Sequence, residues 1–446
     1  MTMQVTAGTA AVVVGLGKTG LSAVRYLRAR GVRVAVTDSR SSPPELAALR
    51  AFDASVPVSL GGFDESLLTG SNLVVASPGV ATSGPFFSAA QRQGLPVVGD
   101  IELFASEARA PIVGITGTNG KSTVTTLLGR IAARAGRRVR VGGNLGEPAL
   151  DLLDPGAELY VLELSSYQLE TAGALPLVAG AILNISPDHL DRHGTLEAYA
   201  AAKARLFLNC AAQVVNADDP LVRALPAFNG RREFFSLRAD STARYRLQQH
   251  EGTLWLTVGD ESLLPLAAMK ISGLHNAANA LACIALADAL QLPRAATVAE
   301  LQEFTGLPHR TQWVAERRGV RYIDDSKGTN VGATMAAVAG LPGPLVLIAG
   351  GDGKGQDFAP LAPVLRDKVR HVVLIGRDAR IVGRALAGVC PQSHAESLPE
   401  AVEAAAAVAV VGDTVLLSPA CASLDMFRDY THRGAVFAAA AKGLPQ

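Results

Sequence analysis

The 446-residue chain carries 41 basic and 40 acidic side chains, and a formal charge of +1 leaves no positive surplus to draw it onto nucleic acid or an anionic membrane. With 49% apolar and 18% charged residues it has the composition of a folded globular protein, neither disordered nor fibrous, and its length favours about three domains. Cys210, Cys283, Cys390 and Cys421 stand far apart without a CxxC pair, which argues against a zinc site or a disulfide framework and fits a reducing cytoplasm.

The opening Met1 to Thr6 has no basic stretch, and the apolar run from Ala10 stops at Gly15, too short for a signal or a membrane span. A cytoplasmic protein without a membrane span is therefore expected. The run reads instead as a strand from Ala11 to Val14. A helix from Leu21 to Ala29 follows, then strands from Val32 to Thr37 and Asn72 to Ala76, a βαβ unit opening a parallel sheet. Between the first strand and the helix, Gly15-Leu-Gly17-Lys-Thr-Gly20 fits the dinucleotide pattern G-x-G-x-x-G, and Asp38 ends the next strand where a ribose-binding acid belongs. The pattern reports that a backbone can approach a nucleotide diphosphate; NAD satisfies it, any nucleotide-linked substrate does too, and so does a tight turn with nothing bound.

The second α/β series opens on Pro111-Ile-Val-Gly-Ile-Thr-Gly-Thr-Asn-Gly-Lys-Ser-Thr123, an apolar strand running into a glycine-rich turn. Gly114, Gly117 and Gly120 are expected to let the backbone turn with its N–H groups inward, and Val124, Leu127, Leu128 and Ile131 repeat at helical spacing. A helix N-terminus preceded by such a turn favours anions, Lys121 can neutralise β- and γ-phosphates, and the Ser122 hydroxyl can hold magnesium. The usual P-loop has a glycine where this chain has Ile115, so the spacing is a variant one. The reading is an ATP site formed by Gly117, Thr118, Asn119, Gly120, Lys121, Ser122 and Thr123.

Strands from Leu159 to Leu164 and Gly180 to Asn184 place Glu163, Ser165, Asn184 and His189 beyond strand carboxyl ends, where open parallel sheets bind ligands. The segment from Phe234 to Leu264 reads as a small antiparallel insertion. A helix starting near His275 carries Asn276 and Asn279 on one face, three residues apart. Gly306-Leu-Pro-His-Arg310 breaks the pattern. A third α/β series follows at Arg321 to Ile323, Leu345 to Ile348, Val372 to Ile375 and Thr414 to Leu417, with the alanine-rich stretch Ala401 to Val411 as a packed helix. The expected fold is α/β in three domains: 1–99 Rossmann-like, 100–306 P-loop ATPase-like with a mostly parallel sheet, and 307–446 Rossmann-like.

These motifs taken in order resemble one family, the ATP-dependent Mur ligases of bacterial cell-wall synthesis. The resemblance rests on Gly99-Asp-Ile-Glu-Leu-Phe104, the Gly114 to Thr123 loop, Gly142-Gly-Asn-Leu-Gly146, Leu162-Glu-Leu-Ser-Ser-Tyr-Gln-Leu169, Asn184-Ile-Ser-Pro-Asp-His-Leu-Asp-Arg192, Gly273-Leu-His-Asn-Ala-Ala-Asn279, Leu307-Pro-His-Arg310, Asp325-Ser-Lys-Gly-Thr-Asn330, Gly350-Gly-Asp-Gly-Lys354 and Leu417 to Asp425. It implies domains for UDP, ATP and an amino acid, and an amide-forming reaction through an acyl phosphate. The implied substrates are UDP-N-acetylmuramoyl-L-alanine and D-glutamate, handled by a monomer.

By the same resemblance Thr19 and Gly20 lie near the nucleotide, Asp38, Ser39 and Arg40 near uracil, and Asn144 at the diphosphate. Asn276 and Asn279 become adenine contacts, with Arg310, Asp325 and Lys327 closing over ATP, while Ser165 joins the substrate site and Thr329, Lys354, Ser423 and Tyr430 grip glutamate. Lys121, Glu163, His189 and Lys203 are the implied catalytic group. Ser122 and Glu163 are the implied ligands of one magnesium ion, and His189 with a carbamylated Lys203 those of a second. Read without the resemblance, His189 is a capping residue and Lys203 a solvated helix lysine.

Overall fold

The structure is a computed structural model, and it describes residues 5–271 and 273–445. Among these, three sheets of five, nine and six strands form, their strands lying within 10–98, 112–265 and 312–417. The mixed α/β architecture expected from the sequence is the one observed. No helix among the described residues is long and apolar enough to cross a membrane.

The first sheet runs Val58–Leu60, Arg33–Asp38, Ala10–Val14, Leu73–Ala76, Val97–Val98, all parallel. Strand order reverses at Ala10–Val14, so the crevice opens above the Gly15 turn. The helix that follows spans Lys18–Arg28, beginning three residues before the expected Leu21. Gly20 sits in its first turn, where a Cβ would come within 2.0 Å of the Gly15 carbonyl oxygen. Glycine is therefore required for the helix to start this close to the strand.

In the nine-stranded sheet, Ile112–Thr116 lies between Leu177–Ile182 and Leu159–Glu163, with Val139–Gly143 at one edge. The helix Lys121–Arg134 packs on it through Val124, Leu127, Leu128 and Ile131, all fully buried. Gly114 departs from expectation: it lies inside the strand, and a Cβ there would approach Leu206 Cδ1 to 2.7 Å. Close packing, not turning, demands this glycine. The segment expected as a separate antiparallel insertion is the other edge of the same sheet. Arg231–Ser236 pairs in parallel with Cys210–Asn216 and with Tyr245–His250, and only the pairings of Thr253–Val258 with Tyr245–His250 and Glu261–Pro265 are antiparallel. Leu247, Leu256, Val258 and Leu264 share a core with the helix Leu274–Ala289, so burying their apolar face keeps the hairpin on the sheet.

The third sheet orders Gln312–Arg317, Val320–Asp324, Thr414–Leu417, Leu345–Gly350, Val369–Ile375 and Gln392–His394, with only the first pair antiparallel. The helix expected from the alanine-rich stretch spans Leu398–Val408 and buries Ala401, Val402 and Ala405. One apolar core joins the first two lobes, running from Leu16 and Leu21 through Phe104 to Leu150, Tyr160 and Leu162. The third lobe has two cores of its own.

Candidate active site

The loop after Ile112–Thr116 carries two residues that only glycine suits. Gly117 has φ +152, and Gly120, with φ +84, precedes the first residue of the helix Lys121–Arg134. A Cβ on Gly120 would meet Asn279 Oδ1 at 2.4 Å, so the adjoining helix closes tightly over the loop. The loop is also braced from the strap after Leu177–Ile182: the Asn119 N–H donates to Asn184 Oδ1 at 2.8 Å, and Asn184 Nδ2 donates to the Asn119 carbonyl at 3.0 Å.

Two adjoining cavities meet at this loop. The larger, about 940 Å³, is lined by Thr123, Asn276, Asn279 and, from the third lobe, Arg310, Asp325 and Lys327. The smaller, about 270 Å³, takes in Thr118, Lys121, Ser122 and Asn144, and also Glu163, Ser165, His189, Lys203 and Thr329. Residues read as distant in sequence are thus gathered around one loop. Asn279 Nδ2 donates to Asn276 Oδ1 at 3.3 Å, which holds the two amides on a common face as their spacing implied.

Charge in the smaller cavity is unbalanced. Lys121 Nζ donates to the carbonyls of Gly117 and Thr118, both at 2.9 Å, and Lys203 Nζ to the Gly117 carbonyl at 2.9 Å. Among the described residues neither ammonium has a carboxylate in contact. Burial, with Arg310 adding repulsion, pushes the Lys121 pKa down; burial and Lys121 push that of Lys203 well below the usual amine range. Lys327 is lowered to about 8 by burial and by the charges of Arg310 and Lys121. On the acid side, burial favours the neutral form of Glu163, yet Lys121, Ser122 and Asn144 hold its pKa below the ordinary carboxylate value. Four basic side chains, Lys121, Lys203, Arg310 and Lys327, thus line the cavity with the carboxylates of Glu163 and Asp188, a basic excess that suits an anionic ligand.

Oxygen donors suited to a hard cation stand beside it. Ser122 Oγ donates to Glu163 Oε2 at 2.5 Å, while Asn144 Nδ2 donates to Glu163 Oε1 at 2.7 Å. A hydroxyl and an ionised carboxylate side by side fit magnesium. His189 Nδ1 lies 2.8 Å from the Tyr167 hydroxyl, and burial lowers its pKa, which keeps the ring neutral as ligation requires. Among the described residues no group of three His, Cys, Asp or Glu side chains gathers as a metal site. Protonated, Lys203 cannot ligate, and as an amine it offers nitrogen where magnesium prefers oxygen; carbamylation would make it an oxygen donor.

Other expected residues lie elsewhere or have other partners. Thr19 and Gly20 occupy the first turn of Lys18–Arg28. Asp38, expected to face a nucleotide, is engaged: its Oδ2 accepts from the Leu16 N–H at 2.6 Å, and Arg40 clasps both its oxygens at 2.9 and 2.7 Å. Burial works against its charge, but these bonds hold its pKa at about 2. That use of Asp38 argues against a ribose acceptor for NAD. Ser39 follows on the exposed surface. Lys354, expected at glutamate, forms an ion pair with Asp188 at 2.8 Å. Tyr430 lies under Lys327, with the ammonium 4.1 Å from the ring centroid, and Ser423 is buried in the turn after Thr414–Leu417. Burial raises the pKa of Asp325 to about 7, and its carboxyl accepts from the Thr311 N–H and from Ser418 Oγ.

Sequence reasoning passed over Asp188, Asn330 and Tyr167. Each stood inside a motif already singled out, but what gives it a partner is another motif far along the chain.

Three family models cover nearly the whole chain. Residues 9–99 match the Mur ligase MurD-like N-terminal domain, 115–287 the Mur ligase middle domain, and 309–421 the Mur ligase glutamate ligase domain. The chain belongs to the Mur ligase family, ATP-dependent enzymes that generally need magnesium. It is 52% identical to the UDP-N-acetylmuramoylalanine–D-glutamate ligase of Nitrosococcus oceani, over 98% of this chain and 97% of the relative. It is 51% identical to the enzyme of the same name from Methylococcus capsulatus, over 97% and 94%. Among solved structures, the UDP-N-acetylmuramate-alanine ligase of Thermotoga maritima superposes with a TM-score of 0.62 at 20% identity, covering 97% of this chain and 99% of that one. MurF from Acinetobacter baumannii gives 0.63 at 18% identity, covering 97% and 90%. Both share the three-lobed fold.

Proposed function

We propose that the chain is an ATP-dependent ligase joining D-glutamate to UDP-N-acetylmuramoyl-L-alanine, a step in making a peptidoglycan precursor, and that it works as a cytoplasmic monomer. The observation that carries this reading is the cation-rich cleft at the phosphate loop, where Lys121 and Lys203 donate to backbone carbonyls and Lys203 also lies over the Tyr199 ring. Relatives about half identical over nearly the full chain support the choice of substrates.

In this reading residues 1–99 bind UDP, 100–306 bind ATP and 307–446 bind the amino acid. Thr19 and Gly20 approach the nucleotide, Asp38 fixes Arg40 beside Ser39 at the uracil, Asn144 meets the diphosphate, and Ser165 lies by the acyl acceptor. Asn276 and Asn279 face adenine across the larger cavity, with Asp325 and Lys327 arriving from the third lobe. Thr329, Lys354, Ser423 and Tyr430 hold glutamate, which requires Lys354 to exchange Asp188 for the incoming carboxylate.

A carboxylate resists nucleophiles because it is already negative, so it must first be activated. The alanine carboxylate attacks the γ-phosphorus of ATP, the bond to ADP breaks, and an acyl phosphate results. Lys121 leaves its loop carbonyls for the transferring phosphoryl oxygens, and Arg310, already 2.6 Å from Ser122 Oγ, spreads the developing charge. The glutamate amine then adds to the acyl carbon. The tetrahedral intermediate expels phosphate and loses a proton from nitrogen to give the amide. Ser122 and Glu163 would hold one magnesium ion, and His189 with carbamylated Lys203 a second; bound there, the ions would neutralise phosphate charge. The low pKa of Lys203 supports its modification, because only the neutral amine combines with carbon dioxide.

The decisive experiment offers the enzyme ATP, magnesium, UDP-N-acetylmuramoyl-L-alanine and each glutamate enantiomer, and weighs the product by mass spectrometry. An amide with the D form alone is expected. Product with the L form instead would overturn the choice of amino acid, and no nucleotide consumption at all would end the reading. Lys203→Ala is expected to be nearly inactive and to recover in part with short carboxylates.

A further inference from the structure

Asn330 ends the loop that carries Lys327 and Thr329 and caps the helix Val331–Gly340, its Oδ1 accepting from the Ala333 N–H at 2.8 Å. The same side chain, only 3% exposed, crosses to the central lobe. Its Nδ2 donates to Asn119 Oδ1 at 3.1 Å and to Asp188 Oδ2 at 3.3 Å, and its Oδ1 also accepts from Asn119 Nδ2 at 3.3 Å. One amide thus uses both hydrogens and both acceptor directions, three of the four bonds spanning two lobes. Asn119 is in turn the phosphate-loop residue whose N–H and carbonyl are both tied to Asn184. The lobes approach closely around this pair: a Cβ on Gly332 would lie 3.1 Å from Ser186 Oγ, itself buried without a hydrogen-bond partner among the described residues.

We propose that Asn330 is a positioning residue that couples docking of the third lobe to the shape of the phosphate loop. The reciprocal amide pair with Asn119 forms only when the loop bearing Lys327 and Thr329 is seated, so seating fixes the orientation of a residue lying between Gly117 and Gly120. When the lobes part, water takes over the same donors and acceptors, and the contact is therefore reversible. Nucleotide affinity then scales with the fraction of molecules in which the pair is made. The inference rests on the reading of this cleft as an ATP site, and is independent of which amino acid is joined.

The test uses Asn330→Ser, because serine keeps the helix cap but is too short to reach Asn119. Titration of the full-length variant with magnesium and a non-hydrolysable ATP analogue in a calorimeter should show binding weakened about tenfold with an unchanged thermal midpoint. Asn119→Ser should weaken it similarly, and the double variant no further, since either change alone removes the pair. In turnover, kcat for ADP release should fall while the KM for the UDP-linked substrate, held by the first two lobes, stays put. Wild-type analogue binding by Asn330→Ser, or additive effects in the double variant, would overturn the proposal. Should the serine variant not fold, Asn330→Asp keeps the cap and loses both donors, and is expected to bind more weakly still. Failure of both variants to fold would make Asn330 a folding residue and also overturn it. Analogue binding needs no amide product, so a failed ligase assay and a failed coupling test remain distinct results.

Discussion

The two seams between lobes are built from different chemistry. Between the first and second lobes the contact is centred on one continuous apolar core, with Leu16, Leu21 and Leu27 on one side and Leu150, Tyr160 and Leu162 on the other, and polar contacts such as Ser22 to Asp151 and Arg30 to Glu107 flank it. Between the second and third, the contacts around the phosphate loop are hydrogen bonds and ion pairs: Arg310 to Ser122, Asn330 to Asn119, Lys354 to Asp188. Opening the first seam would expose apolar area at roughly 25 cal/mol per Å², whereas opening the second exchanges polar partners for water at a net cost of about 1 kcal/mol per bond. The first seam therefore makes one body of two lobes. The second is suited to part and close with each turnover, which is what a ligase needs when a reactive acyl phosphate must be shielded from water.

The contrast can be broken most sharply at Phe104. This ring is fully buried in the shared core and meets Tyr160 edge-on at 4.9 Å. Phe104→Ala is expected to cost about 3–5 kcal/mol in urea unfolding of the first two lobes together. If only one of those lobes lost stability, the seam would not be a common core. Across the other seam the effect moves from stability to activity. Arg310→Ala should lower kcat by about 10²–10³-fold, the range for removing one donor to a developing anion, while the thermal midpoint shifts little. An Arg310 variant with full ADP release, or one as unstable as Phe104→Ala, would erase the distinction.

What the sequence disclosed follows the same division. Apolar runs and glycine punctuation located the central strands of all three sheets, because a buried parallel strand and the turn after it are local patterns, but Val58–Leu60, Val97–Val98, Val139–Gly143, Cys210–Asn216, Gln312–Arg317 and Gln392–His394 were not read. The helix after Gly120 was legible from four apolar positions, Lys121 and Ser122 from the glycine-rich turn that precedes it, and Glu163 from its place at a strand end. Gly114 was misread because its need for a missing side chain comes from Leu206 and Leu177, far along the chain. Asp188 and Asn330 carried no local signal either; their partners arrive only when the third lobe docks. Lys354 was legible as a cation near the site, but not its pairing with Asp188.

A pH dependence sharpens the picture within the third lobe. Burial holds Asp325 at about 7 in the folded chain, against an ordinary carboxylate near 4 when unfolded. Between those values the unfolded state gives up its proton more readily than the folded one, so stability falls as pH rises from about 4 to 7. Asp325→Asn keeps an oxygen for the Thr311 N–H and removes the titration. Its thermal midpoint is expected to depend less on pH over that window, by up to a few kcal/mol in the underlying stability. An unchanged slope would mean that the carboxyl is not kept neutral by burial.

The smallest effect lies at one of the polar contacts that flank the apolar seam, across which Tyr26 and Arg30 also meet Glu107. Ser22 Oγ, in the helix Lys18–Arg28, donates to Asp151 Oδ1 of the second lobe at 2.8 Å. Ser22→Ala removes that bond, worth about 1 kcal/mol, but alanine favours the helix by roughly 0.5 kcal/mol. The net loss in urea unfolding should stay under about 1 kcal/mol, with ADP release unchanged, because the apolar core around it remains intact. A loss as large as that at Phe104 would show that hydrogen bonding and not apolar burial unites the first two lobes, and the contrast between the seams would vanish.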